Sequence, residues 1–182
     1  MKDLERKAFL LAMDAHQHQK YGSEPYLVHL FDVTSIIRAF DSSAEKEIAA
    51  GWLHDILEDT TVNYSAIIQR LGMSKEATEV ADIVYDVTDE LGKNRKERAA
   101  RTIPKIAASR SATLVKLADY IANTTDSIRA MPDLMQMHQK SFKAFEDACR
   151  KNYPEFEPLW EMLVEFLKTD VTPCKKTTFH SV

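Results

Sequence analysis

Apolar residues recur at spacings of three and four along most of this chain, and that period is the helical one. Leu4, Ala8, Leu11, Ala12 and Ala15 mark a first helix within residues 3–20, closed by the turn signal Tyr21-Gly22-Ser23-Glu24-Pro25. Leu27, Leu30, Phe31, Val33, Ile36 and Ile37 mark a second, from Tyr26 to Phe40. Asp41-Ser42-Ser43 supplies N-cap candidates for a third helix, read as continuous to Asp59. Thr61 or Asn63 caps a short fourth that ends at Leu71, before Gly72, and Ser74 caps a fifth from Lys75 to about Thr88. Asn94 opens a sixth, in which Pro104 removes a donor and predicts a break or kink. Further helices are predicted over Ser111 to Ile128, Asp133 to about Lys151 and Phe156 to Lys168. The period is lost from Thr169, so residues 1–168 read as one domain and 169–182 as a flexible tail. The expectation is an all-α fold of about eight to ten helices, with no internal repeat.

Composition agrees. A chain of 182 residues suits a single domain, and only 4 glycines with long stretches rich in Ala, Leu, Lys and Glu favour helices. Cys149 and Cys174 stand apart, without metal spacing or a disulfide framework, which fits a reducing cytoplasm. The charged N-terminus lacks an apolar export core, and no apolar run reaches the roughly 20 residues of a membrane span. Met131, Met135 and Met137 read as core filler.

Charge changes the picture more. The formal net charge is −4, yet residues 91–118 carry eight bases (Lys93, Arg95, Lys96, Arg98, Arg101, Lys105, Arg110, Lys116) against one acid, Glu97. A basic stretch in an acidic chain attracts a small polyanion or simply makes a solvated face, and the acidic whole argues against long nucleic acid as partner.

The chemistry concentrates in His54-Asp55-Ile56-Leu57-Glu58-Asp59, an imidazole and three carboxylates in six residues. On a helix advancing about 100° per residue, His54, Glu58, Asp55 and Asp59 share one side. Ala49, Trp52, Leu53, Ile56 and Leu57 form an apolar stripe opposite. His29 lies in an otherwise apolar helix, and Lys116, Asp119, Asn123 and Asp126 form a polar face on another. Metal chemistry needs several nitrogen and oxygen ligands converging from separate elements, and His29, His54, Asp55 and Asp119 meet that requirement. His16 and His18 point to different sides of a helix, so His16 reads as a local hydrogen-bonding group.

His29…His54-Asp55…Asp119 resembles the HD superfamily of metal-dependent phosphohydrolases. The flanking segments are Ala15-His16…Gln19-Lys20…Glu24-Pro25-Tyr26-Leu27-Val28-His29, Trp52 to Thr60, Val87-Thr88-Asp89, and Val115-Lys116-Leu117-Ala118-Asp119 with Asn123. Together they resemble the hydrolase domain of the RelA/SpoT family, which removes the 3′-pyrophosphate of (p)ppGpp. The resemblance implies a compact HD-domain helical bundle, standing alone without the family's synthetase domain. It implies that His29, His54, Asp55 and Asp119 bind Mn²⁺, and that Glu58 and Asp59 handle the protons of attacking water and leaving group. Lys20, Lys116 and Asn123 would meet the nucleotide. Where the family has Asp-Arg-Leu-His-Asn this chain has Asp119-Tyr120-Ile121-Ala122-Asn123, and Leu30 replaces a common Pro. Two alternatives follow: hydrolysis of another 2′- or 3′-phosphorylated nucleotide such as NADPH, or a non-catalytic nucleotide-binding HD module. The oligomeric state is left open by the sequence.

Overall fold

The structure, a computed structural model, describes residues 1–129 and 134–169. The predicted tail from residue 170 on, and the predicted Met131 and Pro132 features, lie outside the described residues.

The described chain is helical apart from one two-stranded hairpin: α1 (Asp3–Ala15), β1 (Lys20–Tyr21), β2 (Glu24–Pro25), α2 (Tyr26–Phe40), α3 (Glu45–Leu53), α4 (Ile56–Asp59), α5 (Tyr64–Leu71), α6 (Lys75–Val87), α7 (Arg95–Ala108), α8 (Arg110–Arg129), α9 (Met135–Cys149) and α10 (Glu157–Leu167). A 3₁₀ turn, Pro154–Phe156, leads into α10. Local chemistry sets several ends. The Asn63, Ser74 and Asn94 side chains accept the backbone N–H three residues on, starting α5, α6 and α7. Gly72 closes α5 in the left-handed conformation, at φ 108°.

The bundle is assembled around α3 and α8. Helix α3 packs on α1, α2 and α6, and α8 packs on α2, α3, α6, α7, α9 and α10. Ala49, Ala50, Leu53, Leu114, Val115, Leu117 and Ala118 are fully buried along these two helices, while Phe145, Phe156 and Trp160 fill the end nearest α9 and α10. Burying these side chains drives the assembly, each large one contributing about 1.5–3 kcal/mol. Among the described residues no helix is long and apolar enough to cross a membrane.

Three sequence expectations are corrected. The first helix ends at Ala15 rather than running toward Lys20, because residues 20–25 pair as an antiparallel hairpin, Lys20 with Pro25 and Tyr21 with Glu24, turned at Gly22 with φ 61°. The third helix is not continuous to Asp59. It stops at Leu53, and Asp55, at φ −102° and ψ 1°, opens the single turn α4. Pro104 does not break α7, which runs on to Ala108. Pro104 and Ala100, whose carbonyl loses its donor to the proline ring, both line an open cleft and are exposed, so the freed acceptor is not buried.

Gly51 lets α2 and α3 approach. A Cβ there would sit 3.0 Å from Ile37 Cδ1 and 3.1 Å from Thr34 Cγ2. Gly51→Val should therefore cost about 1–3 kcal/mol of stability in urea unfolding. It should also weaken metal binding, because α2 carries His29 and α3 leads into His54.

Candidate active site

Four polar side chains from three separate stretches of sequence meet at the junction of α2, α3, α4 and α8. His29 and His54 are almost wholly buried, and Asp119 nearly so. His54 Nδ1 lies 2.9 Å from the Gly51 carbonyl, which can only accept, so Nδ1 carries a proton and Nε2 is turned toward the cluster. That Nε2 is buried without a hydrogen-bond partner. It faces Asp55 Oδ2 at 3.0 Å and Asp119 Oδ1 at 3.7 Å, while His29 Nε2 is 3.3 Å from Asp119 Oδ1. The ligand atoms of His29, His54 and Asp55 all lie within 4.8 Å of one another.

The break between α3 and α4 makes this possible. His54 closes one helix with its ring in the core, and Asp55 starts the next turn from a non-helical conformation, so adjacent residues aim at one point. On a continuous helix they would diverge by about 100°.

Burial opposes every charge here, and the charges answer one another. Desolvation would push the Asp119 carboxyl up, but the Lys116 ammonium at 2.9 Å, with His29 and His54, holds it well below the usual carboxylate range. Burial likewise opposes ionisation of Asp55, whose carboxyl is nonetheless depressed, mainly by His54. His54, for its part, is held well above the ordinary histidine value by Asp55 and Asp119 despite its burial. Tyr26 donates its hydroxyl to Asp55, and Asn123 donates to Asp119 Oδ1 at 2.5 Å while accepting from Tyr21. Two imidazoles and two carboxylates held ionised at one buried point suit a divalent cation, which binds the same nitrogen and oxygen atoms.

Glu58 and Asp59 stand at the rim of this cluster, each held through one oxygen. Glu58 Oε1 accepts from the Asp89 backbone N–H at 2.7 Å, and Asp59 Oδ2 accepts from Gln19 Nε2 at 2.7 Å. Protein atoms crowding Glu58 raise its carboxyl above the ordinary value, partly countered by that N–H.

Asp55, Glu58, Lys116, Asp119 and Asn123 form one wall of a cleft of about 1090 Å³. Helices α7 and α9 form the other. The basic stretch is divided by the fold. Arg98, Lys105 and Arg110 pair with Asp89, Glu90 and Glu155, and Arg101 donates to the Leu91 carbonyl. Arg95 and Lys96 line the cleft, joined by Lys140 of α9, and none of the three forms an ion pair among the described residues.

Of the residues singled out from sequence, His29, His54, Asp55 and Asp119 form the cluster, Glu58, Lys116 and Asn123 line the cleft beside it, and Asp59, next to Glu58, is bonded to Gln19 and is not among the residues lining the cleft. Lys116 spends its charge on Asp119. Lys20 lies exposed on β1 and is not among the residues lining the cleft. The part α9 plays in the site is not legible in the sequence: Gln136, Met137, His138, Lys140, Ser141 and Phe145 line the cleft. No spacing in the sequence pairs α9 with α7; only a helical face mixing His138 and Ser141 with Phe145 hinted at it. His16, expected to bond locally, does so, with Nδ1 2.6 Å from Gln19 Oε1. Tyr120, standing where the family has Arg, stacks on Phe145 at 5.0 Å between ring centroids, and Ala122, in place of His, is buried.

Residues 8–145 match the HD domain family, whose members carry a divalent metal. The chain is 35% identical over 134 residues to the bifunctional (p)ppGpp synthase/hydrolase SpoT of Escherichia coli, and 30% identical over 132 residues to a guanosine-3′,5′-bis(diphosphate) 3′-pyrophosphohydrolase of Borreliella burgdorferi. Each alignment takes in 68% of this chain but only 18% and 19% of those proteins. It is 31% identical over 127 residues to guanosine-3′,5′-bis(diphosphate) 3′-pyrophosphohydrolase MESH1 of Danio rerio, covering 67% of this chain and 68% of that one. A solved structure described as a metazoan ortholog of SpoT that hydrolyzes ppGpp shares the fold, with a TM-score of 0.64 at 21% identity over 88% of this chain and 96% of the other. The chain therefore belongs to the HD domain family, in the group that includes the (p)ppGpp pyrophosphohydrolases.

Proposed function

We propose that this protein hydrolyses the 3′-pyrophosphate of guanosine 3′,5′-bis-pyrophosphate, (p)ppGpp, in a Mn²⁺-dependent reaction that releases pyrophosphate and GDP or GTP. The observation that carries the reading is the convergence of His29, His54, Asp55 and Asp119 beside the Glu58 carboxylate, at one wall of a cleft whose opposite wall offers Arg95, Lys96 and Lys140. The names of the relatives supply the nucleotide. His29, His54, Asp55 and Asp119 would hold the ion, which lowers the pKa of bound water and neutralises phosphate charge.

The chain's own groups do the rest. Glu58 and Asp59 orient a water against the phosphorus next to the 3′ oxygen. The water oxygen bonds to that phosphorus as the bond to the 3′ oxygen breaks. The carboxylate pair accepts a water proton and returns one to the 3′ oxygen, so the nucleoside leaves with a hydroxyl. Asn123 holds Asp119 in place, and Arg95, Lys96 and Lys140 attract the 5′ phosphates across the cleft. Lys96→Ala and Lys140→Ala should each raise KM about tenfold with kcat little changed, and more so at low salt.

The test is a nucleotide panel with Mn²⁺ and separate detection of phosphate and pyrophosphate. Pyrophosphate from ppGpp is the expected product. Tyr120 and Ala122, in place of the family's Arg and His, motivate a second reading, hydrolysis of another 2′- or 3′-phosphorylated nucleotide such as NADPH; phosphate from NADPH with no turnover of ppGpp would establish it. A protein that binds ppGpp yet releases neither product would be a non-catalytic module.

A further inference from the structure

We infer that His16 and Gln19 are positioning residues that aim the Asp59 carboxylate, and that Tyr26 ties this relay to Asp55. The inference rests on the proton-handling role proposed for Asp59. Asp59 is the last residue of the four-residue helix α4, and its side chain is exposed. One turn of helix does not restrict a terminal carboxylate, and proton transfer requires a set geometry. The restraint comes from outside α4, as the 2.7 Å bond from Gln19 Nε2.

The hydrogen-bond roles along the relay follow from chemistry alone. An ionised carboxylate only accepts, so Gln19 presents its NH₂ to Asp59 and its carbonyl oxygen to His16. That oxygen also only accepts, so His16 carries its proton on Nδ1. His16 Nε2 is then buried with no partner. An apolar ring would pack against Tyr26 without leaving an unpaired nitrogen, so what the imidazole adds at this place is the Nδ1–H directed at Gln19.

The backbone holds the relay rigid. Gln19 N–H donates to the His16 carbonyl at 3.0 Å, and Tyr26 N–H donates to the Gln19 carbonyl at 3.0 Å, pinning Gln19 between the end of α1 and the start of α2. The His16 ring stacks on Tyr26, with centroids 5.0 Å apart and planes at 28°. Tyr26 in turn donates its hydroxyl to Asp55. One stacked pair thus supports two carboxylates, Asp55 directly and Asp59 through Gln19.

The experiment compares Gln19→Leu, His16→Phe, His16→Asn and the double variant Gln19→Leu/His16→Phe in the Mn²⁺-loaded protein with ppGpp. Thermal unfolding and metal content serve as controls. Gln19→Leu and His16→Phe should each lower kcat about 10–100-fold with KM and metal content unchanged. His16→Asn, whose amide N–H falls near the Nδ1 position, should restore most of the rate. The double variant should be no slower than Gln19→Leu, because both act through one bond in series. Unchanged kcat in Gln19→Leu, equal defects in His16→Asn and His16→Phe, or multiplicative losses in the double variant would each overturn the relay. A ¹⁵N spectrum of the histidines needs no turnover: His16 protonated at Nδ1 supports the relay, and protonation at Nε2 rejects it. If the parent protein fails to cleave ppGpp, the proposed function falls, while the ¹⁵N result still decides the relay.

Discussion

His54→Ala should strip the protein of its divalent ion and lower hydrolysis at least about 100-fold, with metal content by elemental analysis falling in parallel. His54 is the pivot of the cluster, because the Gly51 carbonyl takes its Nδ1–H and turns Nε2 on the two carboxylates. Removing it also leaves Asp55 and Asp119 buried with one fewer cation between them. The same geometry gives metal binding a pH dependence of definite sign. His54 is held protonated above its ordinary range by Asp55 and Asp119, and the ion must displace that proton. Affinity should therefore rise with pH through that raised range. Calorimetric titrations in buffers of different ionisation enthalpy should show protons released on binding; the absence of release would mean that His54 is not displaced.

Glu58→Gln and Asp59→Asn should lower kcat by about 100–10,000-fold while retaining metal and ppGpp binding. The two carboxylates sit outside the cluster of His29, His54, Asp55 and Asp119, so neutralising them removes proton transfer and leaves the ligand set whole. Full turnover in Asp59→Asn would end its assigned role. Stability should move the other way at Glu58. Crowding raises its carboxyl above the unfolded value, so the folded state binds more protons between the two values, and stability declines as pH rises through that window. At neutral pH the ionised Glu58 is a liability to the fold. Glu58→Gln, measured without metal by urea unfolding, should be at least as stable as the parent, the pattern of a group kept for chemistry.

The reach of the sequence differs from residue to residue. His29 is legible because an imidazole interrupts an apolar stripe, and Asp119 because it heads a polar face on a buried helix. Caps are legible because Asn63, Ser74 and Asn94 act within three residues of themselves. The helix break at His54-Asp55 is not, since both residues tolerate a helix and the break is imposed by burying the His54 ring against α2 and α8 while Asp55 reaches Tyr26. Pro104 misleads for the opposite reason: its local penalty is real, but an adjacent cleft relieves it. Lys20 matches its motif position and yet stands exposed on β1, away from the cleft lining, because the hairpin rather than a helix carries it.

By itself the sequence determined the helical class, most helix ends, and which residues could hold an ion or move a proton, because these depend on side-chain chemistry and on neighbours within a turn or two. Tertiary structure alone decided that part of the basic stretch is consumed in ion pairs while Arg95 and Lys96, without ion pairs among the described residues, line the cleft on the same wall as Lys140. It alone decided that Gln19 reaches Asp59 across 40 residues. Such pairings are settled by how helices pack to bury their apolar faces, and that is a property of the whole bundle rather than of any one segment.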